Sequence, residues 1–264
     1  MEVFNQKNTE NQIPFKGDLV DSDVSETHKG AGKLMELENN QNKIIRVISF
    51  ESLEQKYPGR YSPIEIAGFG RKLYKELGSN YGISVPVEYV AGKDENGNRV
   101  IYGVTDRIAG KDLSKIEVTP ESAEQVEKLY ISISEYYLDK STKLAQGEMY
   151  LSDINDASSY IYGTIANNEK PRIFFVDTDL YFRDDKISFY YVVAWLVRHM
   201  RSQENKFNKQ FCTARANIEK ILSSPLPDGL QDAEKKEINK AIAEAKNFLE
   251  GKFSDDSDKL PTGV

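Results

Sequence analysis

The sequence predicts an α+β protein in which a strand-rich N-terminal half precedes a helical C-terminal half. Between residues 13 and 108, β-branched and aromatic runs alternate with turn residues around one helical pattern. From residue 119 onwards, apolar residues recur mainly at helical spacing. A short apolar strand at residues 173–176 interrupts this second half and ends in acidic residues.

The N-terminal half is predicted to contain short, irregular strands over residues 13–32, followed by four further strands. An asparagine-rich turn, residues 39–42, joins the first two strands in a hairpin, and the turn at residues 93–98 joins the last two. Residues 51–61 contain a Pro-Gly pair and are predicted to form a loop. The four strands lie at residues 33–38, 43–50, 85–90 and 99–108.

The single helix of this half is predicted to begin after Ser62. Serine is a favoured N-cap, and Pro63 suits the first helical turn. Glu65 lies three residues after the cap, which is the spacing of a capping box. Gly78 is predicted to end this helix.

The C-terminal half is predicted to be built from four helices. The first opens at Thr119-Pro120 and runs to about residue 144. The polar segments 1–12 and 254–264 at the two ends of the chain are predicted to be disordered. The other three helices lie at residues 188–203, 207–222 and 233–249.

The strand at residues 173–176 delivers two carboxylates to its C-terminal end. Because successive strand residues alternate faces, Asp177 and Asp179 point the same way if the extended chain continues. Such a pair could hold a metal ion or a phosphate-bound metal. The alternative is a buried strand that simply ends in an acidic turn.

Composition limits the partners and the location that we expect. The single cysteine excludes an intramolecular disulfide and a multi-cysteine metal site. The net charge is −7 and no block of Lys and Arg occurs, so we expect no nucleic-acid partner. Since we find neither an apolar run of membrane-helix length nor a secretory signal, we expect no membrane partner and a cytoplasmic location.

The order of these elements resembles the protein-kinase-like fold, in its aminoglycoside-phosphotransferase-like branch, over about residues 13–250. The motif Lys43-Ile44-Ile45-Arg46 stands in the third-strand position, and Val176-Asp177-Thr178-Asp179 stands in the position of the metal-binding segment. The resemblance implies a two-lobed α+β protein, with a strand-rich N-lobe over residues 13–108 and a helical C-lobe over residues 109–253.

The resemblance implies a role for several residues. Arg46 takes the place of the phosphate-binding lysine, which is a departure because Arg and Lys are not interchangeable. Glu65 would pair with this base, with Glu76 as the alternative. Segment 104–113 would join the lobes and bind adenine, with Thr105, Asp106 and Ile108 as its candidate contacts.

The resemblance also implies residues for catalysis and for metal binding, and these residues are acids. Asp153 would be the catalytic base, although Ser158 stands where the family has an asparagine. Asp177 would hold the metal, with Asp179 as a secondary ligand. The Gly-x-Gly within residues 29–33 is a weak match to the phosphate-covering loop, and a flexible hairpin turn is the alternative that we favour for it.

These residues predict a kinase-like protein that binds ATP and Mg²⁺ and serves as a degenerate binding or regulatory module with a small-molecule or protein partner. The alternative is an active ATP- and Mg²⁺-dependent phosphotransferase that acts on a small-molecule or protein hydroxyl. A third alternative is that the order of elements is coincidental. The acids at 177, 179, 184 and 185 would then be metal ligands of another enzyme, or solvated turn residues.

Overall fold

The computed structural model describes residues 19–21, 32–37, 40–155, 157–165, 170–177, 180 and 182–252. The predicted disordered ends and most of the Gly-x-Gly segment lie outside these residues. The N-lobe is built on a five-stranded antiparallel sheet with the order β1-β2-β3-β5-β4. Its strands are β1 (Leu19–Asp21), β2 (Gly32–Leu37), β3 (Asn40–Ser49), β4 (Val87–Lys93) and β5 (Arg99–Asp106).

Two helices, α1 (Phe50–Lys56) and α2 (Pro63–Tyr81), connect β3 to β4. The prediction of a loop over residues 51–61 is wrong for its first half, because Ser49 caps α1 by accepting a hydrogen bond from the Ser52 amide at 3.0 Å. The predicted capping box at the start of α2 is confirmed. The helix continues past Gly78 and ends at Gly82, whose φ of 69° is the left-handed conformation that glycine favours.

In the described part of the chain, the remaining elements include two small sheets, four α-helices and three short 3-10 helices. The order of the first small sheet is β6-β8-β9, and β10 pairs with β7 in the second. The chain runs in the order β6 (Ala109–Asp112), α3 (Pro120–Lys143), β7 (Tyr150–Leu151), β8 (Tyr160–Thr164), β9 (Arg172–Phe175), β10 (Phe182–Arg183), α4 (Lys186–Phe207), α5 (Cys212–Ser223) and α6 (Asp232–Leu249).

Strand β6 is held close to β8 by a pair of facing glycines. Gly110 lies opposite Gly163, and a Cβ added to Gly110 would come within 2.3 Å of the Tyr162 carbonyl oxygen. Side chains at these positions would push the strands apart. Because β5 belongs to the large sheet and β6 to this small one, residues 107–108 cross from one sheet to the other.

The predicted two-lobed α+β architecture is confirmed. In the C-lobe, α4 packs against α6 and α3 packs against α5. The main hydrophobic core is continuous between the lobes, since it contains Ile66 and Leu73 of α2 together with Ile133 of α3 and Phe189 of α4. No helix in the described part of the chain is long and apolar enough to cross a membrane.

A buried ion network also ties the lobes together. The ammonium group of Lys140 on α3 lies 2.9 Å from a carboxylate oxygen of Glu76 on α2 and 2.9 Å from one of Glu148. The side chain of Lys140 is only 1% exposed. The network therefore connects α2 of the N-lobe to the chain segment that leads into β7.

Replacing Lys140 with methionine should strongly destabilise the protein, because the substitution leaves two glutamates without their cation. Removing one partner of a buried ion pair costs about 3–5 kcal/mol. Lys128→Met on the same helix breaks only an exposed pair with Glu124 and should cost about 0.5 kcal/mol or less. Urea denaturation of both variants measures the difference, and equal losses would contradict a structural role for the network.

Candidate active site

Asp153 follows the short strand β7, which α3 fixes through two buried tyrosines. The amide of Leu151 donates a hydrogen bond to the Tyr136 hydroxyl at 2.8 Å, and the Tyr137 hydroxyl donates one to the Leu151 carbonyl at 2.9 Å. The Tyr160 hydroxyl donates a hydrogen bond to the carbonyl of Ile154 on the other side of the acid. The backbone around Asp153 is therefore held rigidly.

Asp177 lies two residues after the end of β9, and its backbone is anchored on both sides of the acid. The amide of Val176 donates a hydrogen bond to the Ser159 carbonyl at 2.9 Å. Leu180 is fully buried and packs against Gly70 of α2 with a φ of 58°. A branched residue in this left-handed conformation is strained, so packing must stabilise it. The predicted secondary ligand, Asp179, lies outside the described residues.

Arg46 approaches Asp177 from the N-lobe. It lies on β3 opposite Leu34 of β2 and Gly103 of β5, and its side chain is 6% exposed. Its Nη1 lies 3.9 Å from Oδ1 of Asp177. The structure thus brings together two residues that are 131 positions apart in the sequence.

A second base, Lys56, was not predicted as a site residue. It is the last residue of α1, and its electrostatic neighbours include Asp153 and Asp177. Burial lowers the pKa of Lys56 to about 8 although the two acids favour its charged form. The sequence does contain a signal for α1, because Ser49 can cap this short helix and Leu53 can be its buried residue. The Pro58-Gly59 pair nevertheless favoured the prediction of a loop.

Asp153 and Asp177 repel each other when both are charged, so the charged pair is unfavourable unless cations offset the repulsion. Burial and the negative charge of Asp177 raise the pKa of Asp153 to about 8, and Lys56 and Arg46 only partly offset this. In the part of the chain that the structure describes, Oδ1 of Asp153 and Oδ1 of Asp177 are buried without a hydrogen-bond partner. Buried acceptors of this kind are rare and call for a missing donor or ion.

This donor set fits Mg²⁺. The ion prefers oxygen ligands and is commonly held in nucleotide sites by one or two carboxylates, with phosphate oxygens and water completing the shell. Asp177 supplies one such carboxylate, and Asp153 is one of its electrostatic neighbours. The described residues contain no group of three or more acidic, His or Cys side chains arranged for a metal, so phosphate or water ligands would have to complete the shell.

The predicted pairing of Glu65 with Arg46 is wrong. Glu65 is exposed, and its carboxylate accepts hydrogen bonds from the Ser62 amide and hydroxyl at 2.8 Å each. These bonds lower the pKa of Glu65. The alternative, Glu76, binds Lys140 instead. Among the ion pairs of the described residues, the acid paired with Arg46 is Asp177.

The predicted adenine-binding segment lies at the crossing between the sheets. Thr105 is on β5 opposite Ile44 and Val87, and Ile108 is half-buried between β5 and β6. Asp106 forms an ion pair of 2.5 Å with Lys43. The carboxylate of Asp106 is therefore already bound by Lys43. A contact between Asp106 and a nucleotide stays a prediction, and it concerns only the backbone of this residue.

No protein-family model matches the sequence, and comparison with curated proteins gives no match. Among solved structures, the chain is similar to a thermostable mutant of aminoglycoside phosphotransferase APH(4)-Ia, with 11% identity, a TM-score of 0.39 and coverage of 89% of this chain and 95% of that one. It is also similar to the bifunctional kinase-methyltransferase WbdD, with 12% identity and a TM-score of 0.31, over 86% of this chain and 51% of WbdD.

Replacing Asp153 with asparagine should raise the melting temperature, because a neutral amide removes the repulsion with Asp177. An acid with a raised folded-state pKa loses stability as pH rises from its ordinary pKa, 3.8, to the folded value of about 8. The gain should therefore be small near pH 4 and largest near pH 8, at about 2–4 °C for each kcal/mol relieved.

Thermal melts at several pH values measure this effect. Asp232→Asn, at an exposed position in the first turn of α6, is the control and should change the melting temperature little at any pH. A lower melting temperature for Asp153→Asn at pH 8 would show that the two acids do not repel each other as described.

Proposed function

We propose that this protein binds a nucleoside triphosphate, ATP by the resemblance, together with Mg²⁺ between its two lobes. The observation that supports this most directly is the pair of buried carboxylate oxygens on Asp153 and Asp177, which lack hydrogen-bond partners among the described residues. They are flanked by two bases, Arg46 and Lys56. A cation near the acids and polyanionic phosphates near the bases would satisfy both sets of charges.

Each residue has a separate task in this proposal. Asp177 would hold Mg²⁺, which when bound would neutralise charge on the phosphate oxygens, and Asp153 would lie beside the ion without binding it. Arg46 would donate hydrogen bonds to the phosphates, and its planar guanidinium suits two-point contacts with them. The backbone of residues 105–108 would contact the adenine at the crossing between the sheets.

Phosphoryl transfer to a hydroxyl is a second candidate activity, and the position of Asp153 favours it. A carboxylate close to the nucleotide phosphates can orient an acceptor hydroxyl and take up its proton. The departures at Arg46 and Ser158 favour the degenerate module, which would bind nucleotide without transfer. The two candidates share the binding step and differ only in turnover.

ATP with Mg²⁺ should raise the melting temperature of the wild-type protein by roughly 5–10 °C at a concentration about 100 times its dissociation constant. The shift should need both components, because the metal joins the carboxylates to the phosphates. Asp177→Asn should remove most of the shift, whereas the exposed control Asp232→Asn should keep it. Absence of a shift at millimolar ATP and Mg²⁺, or its persistence in Asp177→Asn, would contradict the proposed site.

ADP formation distinguishes the two candidate activities. If the protein transfers phosphate, Asp153→Asn should lower the rate of ADP release about 10²-fold or more, because the general base is lost. Asp232→Asn should leave the rate unchanged. Nucleotide binding by the wild type without ADP formation, tested with candidate hydroxyl acceptors, would establish the degenerate module.

A further inference from the structure

A cavity of about 260 Å³ adjoins the proposed site on the side of α1. It is open to solvent on one side and is lined by the end of α1, the loop after it, β10 and the start of α4. Pockets for drug-sized ligands measure about 300–1,000 Å³, so this one suits a smaller molecule, roughly the size of a monosaccharide. The residues that matter most for its chemistry are Lys56, Tyr57, Arg60, Tyr61, Phe182 and Arg183.

The aromatic walls of the cavity are fixed in place. The ring of Tyr57 stacks on Phe182 with centroids 4.8 Å apart and an interplanar angle of 15°. The Tyr57 hydroxyl donates a hydrogen bond to the Leu180 carbonyl at 2.7 Å and accepts one from the Phe182 amide at 3.0 Å. Tyr61 packs edge-on against Tyr57 at 6.4 Å. A ligand therefore meets preformed walls and binding orders few side chains.

The charges of the cavity favour an anionic ligand. Three cations, Lys56, Arg60 and Arg183, line it beside two acids. Both acids are engaged by the protein. Arg60 binds Asp184 with two hydrogen bonds of 3.1 and 2.8 Å, and Asp185 caps α4 by accepting a hydrogen bond from an amide at 2.7 Å. Arg60 and Asp184 offset each other, so the remaining lining charges are two cations, Lys56 and Arg183, and one acid, Asp185, whose carboxylate already accepts an amide hydrogen bond.

The cavity also lies next to the reacting groups. Lys56 both lines the cavity and has Asp153 and Asp177 among its electrostatic neighbours. Met149, another lining residue, is four positions before Asp153, and β10 in the cavity wall pairs with β7, which leads to that acid. A small molecule in the cavity would therefore sit beside the catalytic acid and not on a remote surface.

We propose that this cavity binds the phosphoryl acceptor, and that the acceptor is a hydroxylated, anionic molecule of monosaccharide size. This proposal rests on the proposed function. In the transfer step, the acceptor oxygen forms a bond to the γ-phosphorus while the bond from that phosphorus to the β–γ bridging oxygen breaks. The hydroxyl proton passes to the carboxylate of Asp153, and the products are ADP and a phosphate ester.

A panel of three monosaccharides that differ in charge tests the proposal. Glucuronate, glucose and glucosamine present similar rings with an anionic, neutral or cationic group. Glucuronate should raise the melting temperature of the wild type in a saturable way, and it should accelerate ADP formation from ATP and Mg²⁺. Glucose should bind more weakly, and glucosamine should have no saturable effect.

Arg60→Gln tests whether the cavity is the site of this effect. The Arg60 side chain is 59% exposed, so the variant should fold, which a cooperative thermal melt verifies. Loss of the cation also leaves Asp184 without its main partner, and glucuronate should bind about tenfold or more weakly. Lys128→Gln, on the exposed face of α3, is the control and should bind glucuronate as the wild type does.

The outcomes separate this proposal from the proposed function. If ATP and Mg²⁺ stabilise the wild type but no sugar acts, or if glucosamine acts as well as glucuronate, the acceptor proposal is overturned and nucleotide binding stands. Equal glucuronate binding by Arg60→Gln and wild type would also overturn it. If glucuronate binds and ATP does not, the cavity is an anionic-sugar site and its acceptor role is overturned.

Discussion

The whole site depends on two carboxylates that interact electrostatically and that each bury one oxygen. Asp153 and Asp177 gain no hydrogen bonds on their inner oxygens from the described residues, and burial together with their mutual repulsion opposes charge on Asp153. Arg46 and Lys56 relieve only part of this cost. The pair is therefore kept at a cost in stability, which is typical of groups that serve a function.

Keeping such a pair in place requires a rigid scaffold, and tyrosines supply much of it. Tyr136 and Tyr137 fix the strand before Asp153, and Tyr160 fixes the backbone after it. Tyr57 holds the segment after Asp177 through Leu180. A tyrosine both fills core volume and binds a backbone group, so it can stabilise an irregular loop that would otherwise bury unsatisfied amides and carbonyls.

Sequence patterns predicted those features that local chemistry determines. The capping box at Ser62 and the acid-tipped strand before Asp177 both follow from short-range spacing, and the order of elements was enough to suggest the fold. The predicted pairing of Glu65 with Arg46 failed because the Glu65 carboxylate caps its own helix. Ser62 is only three residues away, so this contact costs less chain entropy than a contact with Arg46 on another element. Lys56 was missed since a seven-residue helix offers little periodicity, and its importance arises from tertiary contacts.

Arg46 shows that comparing a motif with its family one position at a time can misjudge the charge of a site. An arginine in place of lysine suggests a weakened site when the strand is considered alone, because the two side chains are not interchangeable. The structure adds a lysine from a different element, Lys56 at the end of α1, beside the same acids. The positive charge near the two acids is therefore divided between a strand and a helix. A kinase-like site is better judged by the charges that converge in space than by the residue at each motif position.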